Sequence, residues 1–147
     1  MSAKTVLVTL QELATSAVDK AAEELGVSNQ ALANEKNTLL MLEKYRDEYL
    51  NKLAGQMEAG FTIQMHQNYQ RFLGMLDDAI KGQAQVVENA KVKVAVDQQL
   101  WQESNKKKFS YEVLGDRYQK REDLLEGRRE QKLMDEFAMR GNKVRLA

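Results

Sequence analysis

The stretch Ala54-Gly55-Gln56-Met57-Glu58-Ala59-Gly60 decides the fold. Two glycines five apart among small residues are the strongest turn signal in the chain, because glycine accepts the left-handed backbone that a sharp reversal needs. Thr62 follows, with a hydroxyl suited to capping a new helix. Towards the N-terminus, steps of four and three residues connect Leu7, Ala14, Val18, Ala21, Leu25, Leu32, Leu39, Leu42, Tyr49 and Leu53. The same series passes through Gln11, Ser28, Glu35 and Arg46, four polar flaws in an otherwise apolar, heptad-like stripe. Towards the C-terminus, Met65, Tyr69, Phe72, Leu76, Ala79, Ile80, Val87, Ala90, Val94 and Trp101 keep helical spacing. The pattern then thins to Leu100, Tyr111, Leu114, Tyr118, Leu125, Met134 and Phe137, and Gly141 reads as a helix stop. The expected fold is all-α, a long antiparallel two-helix coiled-coil hairpin with the second helix longer. It forms a single domain over 1–147, with a helix over about 4–54, a turn over about 55–62, a helix over about 63–140 and a frayed basic tail at 141–147.

Composition supports extended helices. Ala, Glu, Lys, Leu and Arg supply 69 of 147 residues, and aromatics only 7%. There is no proline, where average usage would give roughly seven, so neither helix contains an obligatory break. Two β-branched stretches, Thr5–Thr9 and Val92–Val96, admit a strand reading, but they lie inside helical periodicity. Interior Gly26, Gly74, Gly82, Gly115 and Gly127 each cost a helix about 1 kcal/mol against alanine, and the sharper reading of them is local flexibility.

The chemistry of an enzyme is missing. The chain has no cysteine and a single histidine, His66, which is far more often a packing or surface residue than a ligand or base. Gly55 and Gly60 give the glycines of a phosphate loop, but Phe61-Thr62 stands where Lys-Ser/Thr is required. Lys106-Lys107-Lys108 reads as a solvated face. No catalytic residue, cofactor or metal ligand is expected. With 22 basic and 22 acidic residues the chain lacks the basic excess of a nucleic-acid binder. Residues 1–100 carry −3 and residues 101–147 carry +3, too weak an asymmetry to name a polyanionic partner. No apolar run is long enough to insert into a membrane, and Met1-Ser2-Ala3-Lys4 lacks a signal-peptide core, so a cytoplasmic protein is expected.

Near the turn the apolar stripe is wider than a two-stranded seam needs. On the first helix it is centred on Leu39 and extends through Leu42 to Tyr49, Thr38 and Tyr45; on the second it is centred on Leu76 and runs from Leu73 and Ile80 through Tyr69 and Gln83 to Phe72, Ala79 and Val86. Two readings stand side by side. The extra rows belong to a thicker core, completed by a folded-back C-terminal segment or a second copy. Alternatively they form an exposed docking patch of Leu42, Tyr45, Tyr49, Phe72, Leu76 and Ala79.

These residues also carry a family resemblance. Met41-Leu42-x-x-Tyr45-x-x-Glu48-Tyr49, Asn68-Tyr69-Gln70-x-Phe72 and Gln131-Lys132-x-Met134-Asp135-Glu136-Phe137-Ala138-x-Arg140 resemble the FliJ family of the bacterial flagellar type III export apparatus. The resemblance implies a coiled-coil hairpin similar to the stalk subunit of rotary ATPases. It implies a non-enzymatic adaptor, cytoplasmic and peripheral to the inner membrane at the base of the flagellum. The partners it implies are the hexameric export ATPase, the export-gate membrane protein and export chaperones. The gate contact maps to Leu42, Tyr45, Tyr49, Phe72, Leu76 and Ala79, with Thr38 and Gln83 on the same rows but differing from the family's side chains. As a patch, Phe72→Ala with Leu76→Ala is expected to weaken gate binding and spare folding. The ATPase contact is expected where the chain ends meet, at Arg128, Arg129, Phe137 and Arg140, with Lys4, Lys143 and Arg145 nearby if the hairpin closes. Competing readings are a holdase for export substrates, a plain oligomerising coiled coil, and the equivalent stalk of a type III injection system.

Overall fold

The computed structural model describes residues 2–146, with side chains through Asn142. Helix α1 runs Ala3–Ala59 and helix α2 runs Ile63–Leu146, packed against each other as an all-α hairpin with no strand among the described residues. Both β-branched stretches are helical. Ser2 caps α1, its hydroxyl accepting from the Thr5 amide at 3.2 Å. Thr62 caps α2 in the same way, accepting from the Met65 amide at 3.2 Å.

The helix ends differ from the sequence expectation. Helix α1 continues through Gly55 to Ala59, and α2 continues through Gly141 to Leu146. A lone glycine among good helix formers costs about 1 kcal/mol, which a cooperative helix absorbs. Termination needs a residue in the left-handed region, and only Gly60, with φ +106°, has it among the described residues. The reversal is therefore confined to Gly60-Phe61-Thr62.

By packing, the chain divides into two units: Lys20–Gln102, and residues up to Asp19 together with those from Glu103 onward. Across both units, all fourteen positions of the series from Leu7 to Leu53 are buried or half-buried, the four polar ones included. Each polar position meets a polar group on α2. In the Lys20–Gln102 unit, the Ser28 hydroxyl donates to the Asp97 carboxylate, and Lys93 Nζ donates to both Asp97 oxygens at 2.8 and 2.9 Å. Gln83 Nε2 donates to the Glu35 carboxylate at 2.5 Å and to its carbonyl at 3.0 Å. Arg46 Nε donates to Asp77 at 2.6 Å. In the other unit, Gln11 Nε2 donates to the Tyr111 carbonyl at 3.0 Å. Gly115 makes room for that amide, since a Cβ there would collide with it.

These pairs fix register more than they add stability. Arg46 and Asp77 are 36% and 48% exposed, so their ion pair is worth about 0–1 kcal/mol. The Ser28–Asp97 pair is stricter, because Asp97 is only 2% exposed. A slip of one heptad would set Asp97 against Ala21, which offers no donor, or against Glu35, which repels it. Apolar burial is spread thinly around these points. Ala14, Val18, Leu76 and Val87 are the buried hydrophobic residues, and Leu32, Leu39 and Ile80 are half-buried.

The Lys93 bond first, and the Ser28 bond second, hold the Asp97 carboxyl below the usual carboxylate range. Its stabilising effect is therefore complete above the unfolded-state pKa of about 3.9 and is lost as pH falls through the lower folded value. In thermal melts followed by circular dichroism, the difference between the protein and Asp97→Asn is expected to stay constant above about pH 5 and to shrink below about pH 4. Gly115→Ala gains about 1 kcal/mol of helix propensity and displaces the Gln11 amide, losing about 0.5–1.5 kcal/mol. It is expected to be nearly neutral alone and stabilising by about 1 kcal/mol in a Gln11→Ala background, read from denaturant midpoints.

Candidate functional site

The widened stripe near the turn resolves into a run of aromatic rings. Tyr49 lies at its centre, 4.4 Å from Phe72 and 4.9 Å from Tyr69 between centroids. Tyr45 meets Phe72 edge-on at 6.2 Å and 74°. Tyr69 stacks on Phe61 at 5.4 Å and 29°, and His66 meets Phe61 edge-on at 5.8 Å. The Tyr69 hydroxyl donates to the Gln56 side-chain carbonyl, tying the run across the last turns of α1. Desolvation, then the neighbouring Tyr69 and Tyr45 phenols, raise the Tyr49 pKa above the usual phenol value.

The eight residues read as one patch divide by depth. Leu76 is buried at 7% exposure, in the seam. Leu42, Tyr49, Phe72 and Gln83 are half-buried, and Thr38, Tyr45 and Ala79 are exposed. Gln83 is committed to Glu35, and the Thr38 hydroxyl donates to the Asn34 carbonyl of its own helix at 3.1 Å. No C-terminal segment folds back over the stripe, since the described residues from Gln119 to Asn142 are exposed. The stripe's inner edge is core, and its outer edge, with Tyr45 51% exposed, is available surface. The expectation that removing Phe72 and Leu76 together spares folding does not survive, because Leu76 packs between the helices. Phe61 and Tyr69 belong to the run and were not singled out as site residues. Tyr69 is signalled by its three-residue spacing from Phe72, whereas Phe61 is placed by the path of the turn.

The second set of expected site residues lies in the unit that contains the chain ends. Here α1 begins against Leu114, Tyr118 and Arg121. Beyond Arg121 every described residue of α2, from Glu122 to Asn142, is exposed, and this part of the helix runs on past its contact with α1. Arg128, Arg129, Phe137 and Arg140 all lie on it, with Phe137 80% exposed. At 100° per residue, Arg129, Arg140 and Phe137 share a face about 80° wide, and Arg128 sits about 100° round from Arg129. Lys4 is not among them: it lines a groove with Lys108, Glu112 and Asp116. The side chains of Lys143 and Arg145 lie outside the described residues.

No described helix is long and apolar enough to cross a membrane. Among the described residues no group of three or more His, Asp or Glu side chains is arranged to hold a metal ion.

The family model described as "Flagellar FliJ protein" matches residues 3–145. The Flagellar FliJ protein of Escherichia coli (strain K12) is 35% identical over 134 residues, covering 91% of each chain. That of Salmonella typhi is 34% identical over 134 residues, again 91% of each. A match spanning both helices and the turn, together with the two-helix hairpin, places the chain in the FliJ family of flagellar proteins.

Proposed function

We propose that the chain is a non-enzymatic adaptor and stalk of the flagellar type III export apparatus. The part of α2 beyond Arg121 binds the hexameric export ATPase, through Phe137 and Arg140 with Arg128 and Arg129. The outer edge of the aromatic run, Tyr45 and Ala79 with the exposed faces of Leu42, Tyr49 and Phe72, binds the export-gate membrane protein. Through these two contacts the chain couples ATPase and gate, and it engages export chaperones. It works in the cytoplasm, peripheral to the inner membrane at the base of the flagellum. One observation supports this reading above the others. A single uninterrupted helix, α2, carries residues of both surfaces, and neither surface is fully used up by the chain's own packing.

Deleting residues 128–147 is expected to abolish pull-down of the export ATPase and any effect on its turnover. Thermal melting should hardly change, because every described side chain removed, Arg128 to Asn142, is exposed. Retained binding and stimulation would remove the ATPase assignment. Tyr45→Ala with Ala79→Glu is expected to weaken gate binding by about tenfold or more, on the scale of an aromatic hot spot, with melting unchanged. Leu76→Ala should instead cost about 2–4 kcal/mol of stability, read from denaturant unfolding. If the Tyr45/Ala79 variant bound the gate normally, the outer edge would not be the gate surface.

A further inference from the structure

Charge on α2 is sorted by face around the end of its packed region. Between Glu112 and Lys132, five charged pairs four residues apart are like-charged: Glu112/Asp116, Arg117/Arg121, Glu122/Glu126, Glu126/Glu130 and Arg128/Lys132. Only Asp116/Lys120 is opposite. A helix face that merely needs solvation places opposite charges at this spacing, because like charges there repel and destabilise it. The sorting leaves two surfaces. One is an apolar trough of about 540 Å³ at the start of α1, lined by Val6, Leu10, Leu114 and Tyr118, with Arg117 and Arg121. The other is a ridge on the partnerless segment. Asp123, Glu126, Glu130, Leu133, Met134 and Phe137 fall there within about 100° of rotation, roughly opposite Arg117 and Arg121.

Neither surface is satisfied within the chain. Arg117, Arg121, Glu126 and Glu130 form no ion pair among the described residues. Val6 and Leu114 are 46% and 48% exposed, and Leu133 and Met134 are 65% and 69% exposed. A concave apolar trough edged by cations suits the apolar ridge of an acidic amphipathic helix. The ridge has that chemistry, but it cannot reach the trough of its own chain, because α2 is one continuous helix through both. We infer that the ridge of one copy docks in the trough of a second copy, with Glu126 and Glu130 meeting Arg117 and Arg121. Trough and ridge lie on opposite sides of α2, so two copies cannot exchange both at once, and the contact is head-to-tail. It covers Leu133, Met134 and Phe137, and so occupies the segment while no other partner holds it.

Sedimentation of the full-length protein, alone and at low salt, tests the contact independently of any ATPase. The average mass is expected to rise with protein concentration and to fall as salt screens the pairs. Arg117→Glu/Arg121→Glu is expected to associate at least about tenfold more weakly than the parent, and so is Glu126→Arg/Glu130→Arg. Circular dichroism should show both fully folded. An equimolar mixture of the two variants should associate again, since each supplies the face the other lacks. A mass independent of concentration, or a mixture no more associated than either variant, would overturn the inference. So would loss of binding to phosphatidylglycerol vesicles in the arginine variant without any self-association, which would assign the basic face to an anionic membrane surface.

Discussion

A protein of two helices has a single seam and no second layer, so whatever fixes the pairing must lie on that seam. Here it is the group of Ser28, Lys93 and Asp97. A carboxylate occluded between two helices is tolerable only where a hydroxyl and an ammonium reach it. Lys93 sits four residues before Asp97 on α2 and travels with it in any alignment, so it is Ser28, supplied by α1, that selects one register. Leucine and alanine along the rest of the stripe would accept several registers at similar cost, since heptad spacing alone repeats every seven residues. Glu35 with Gln83 and Arg46 with Asp77 repeat the device towards the turn with less occluded groups. Stability comes from spread-out apolar burial, and uniqueness comes from a few polar contacts.

Register then determines what remains as surface. It sets Tyr49 between Phe72 and Tyr69, and Leu76 among the buried residues. Another alignment would bury a different subset of the same side chains. The narrowness of the seam explains why so large an aromatic group stays half-exposed. One helix covers only one stripe of its partner, and a row 80–120° away meets the other helix only at its edge. Near the turn the row compensates by ring-to-ring contact, which buries some area and keeps the side chains ordered without covering them. An apolar surface of this kind is already shaped, so a partner spends little to order it.

The fold was legible because its signal is periodic and the chain holds no proline to interrupt it. All fourteen positions picked out by steps of four and three lie on the seam, and the apparent flaws Gln11, Ser28, Glu35 and Arg46 are as much a part of it as the leucines. Their role was not legible. It depends on which α2 residue stands opposite, and periodicity does not fix the offset between two helices. Helix ends were misjudged at Gly55 and Gly141 because composition shows where a turn is permitted, while backbone conformation decides where it happens. At the patch, sequence gave the angular position of Leu76 and Ala79 correctly. Whether a side chain at the stripe's edge falls inside or outside the seam turns on a few tens of degrees, and here Leu76 is inside and Ala79 outside.

The partnerless end of α2 follows from the same seam. A helix standing alone in water is marginal, because its first turn fixes several residues for one hydrogen bond. The turns up to Tyr118, held against α1, supply that first turn already made, and each later residue adds a bond at the cost of ordering itself alone. Lys132 with Glu136 and Glu136 with Arg140, opposite charges four apart, favour the helix further along. Gly127 and Gly141 work against it by about 1 kcal/mol each. The balance is a segment that is helical yet buries nothing, so its apolar side chains are presented at fixed angles before any partner arrives. The like-charge stacking of Glu122, Glu126 and Glu130 has no place in that local account. It lowers the stability of the very helix on which it sits, a cost that cations contributed by a second copy would offset.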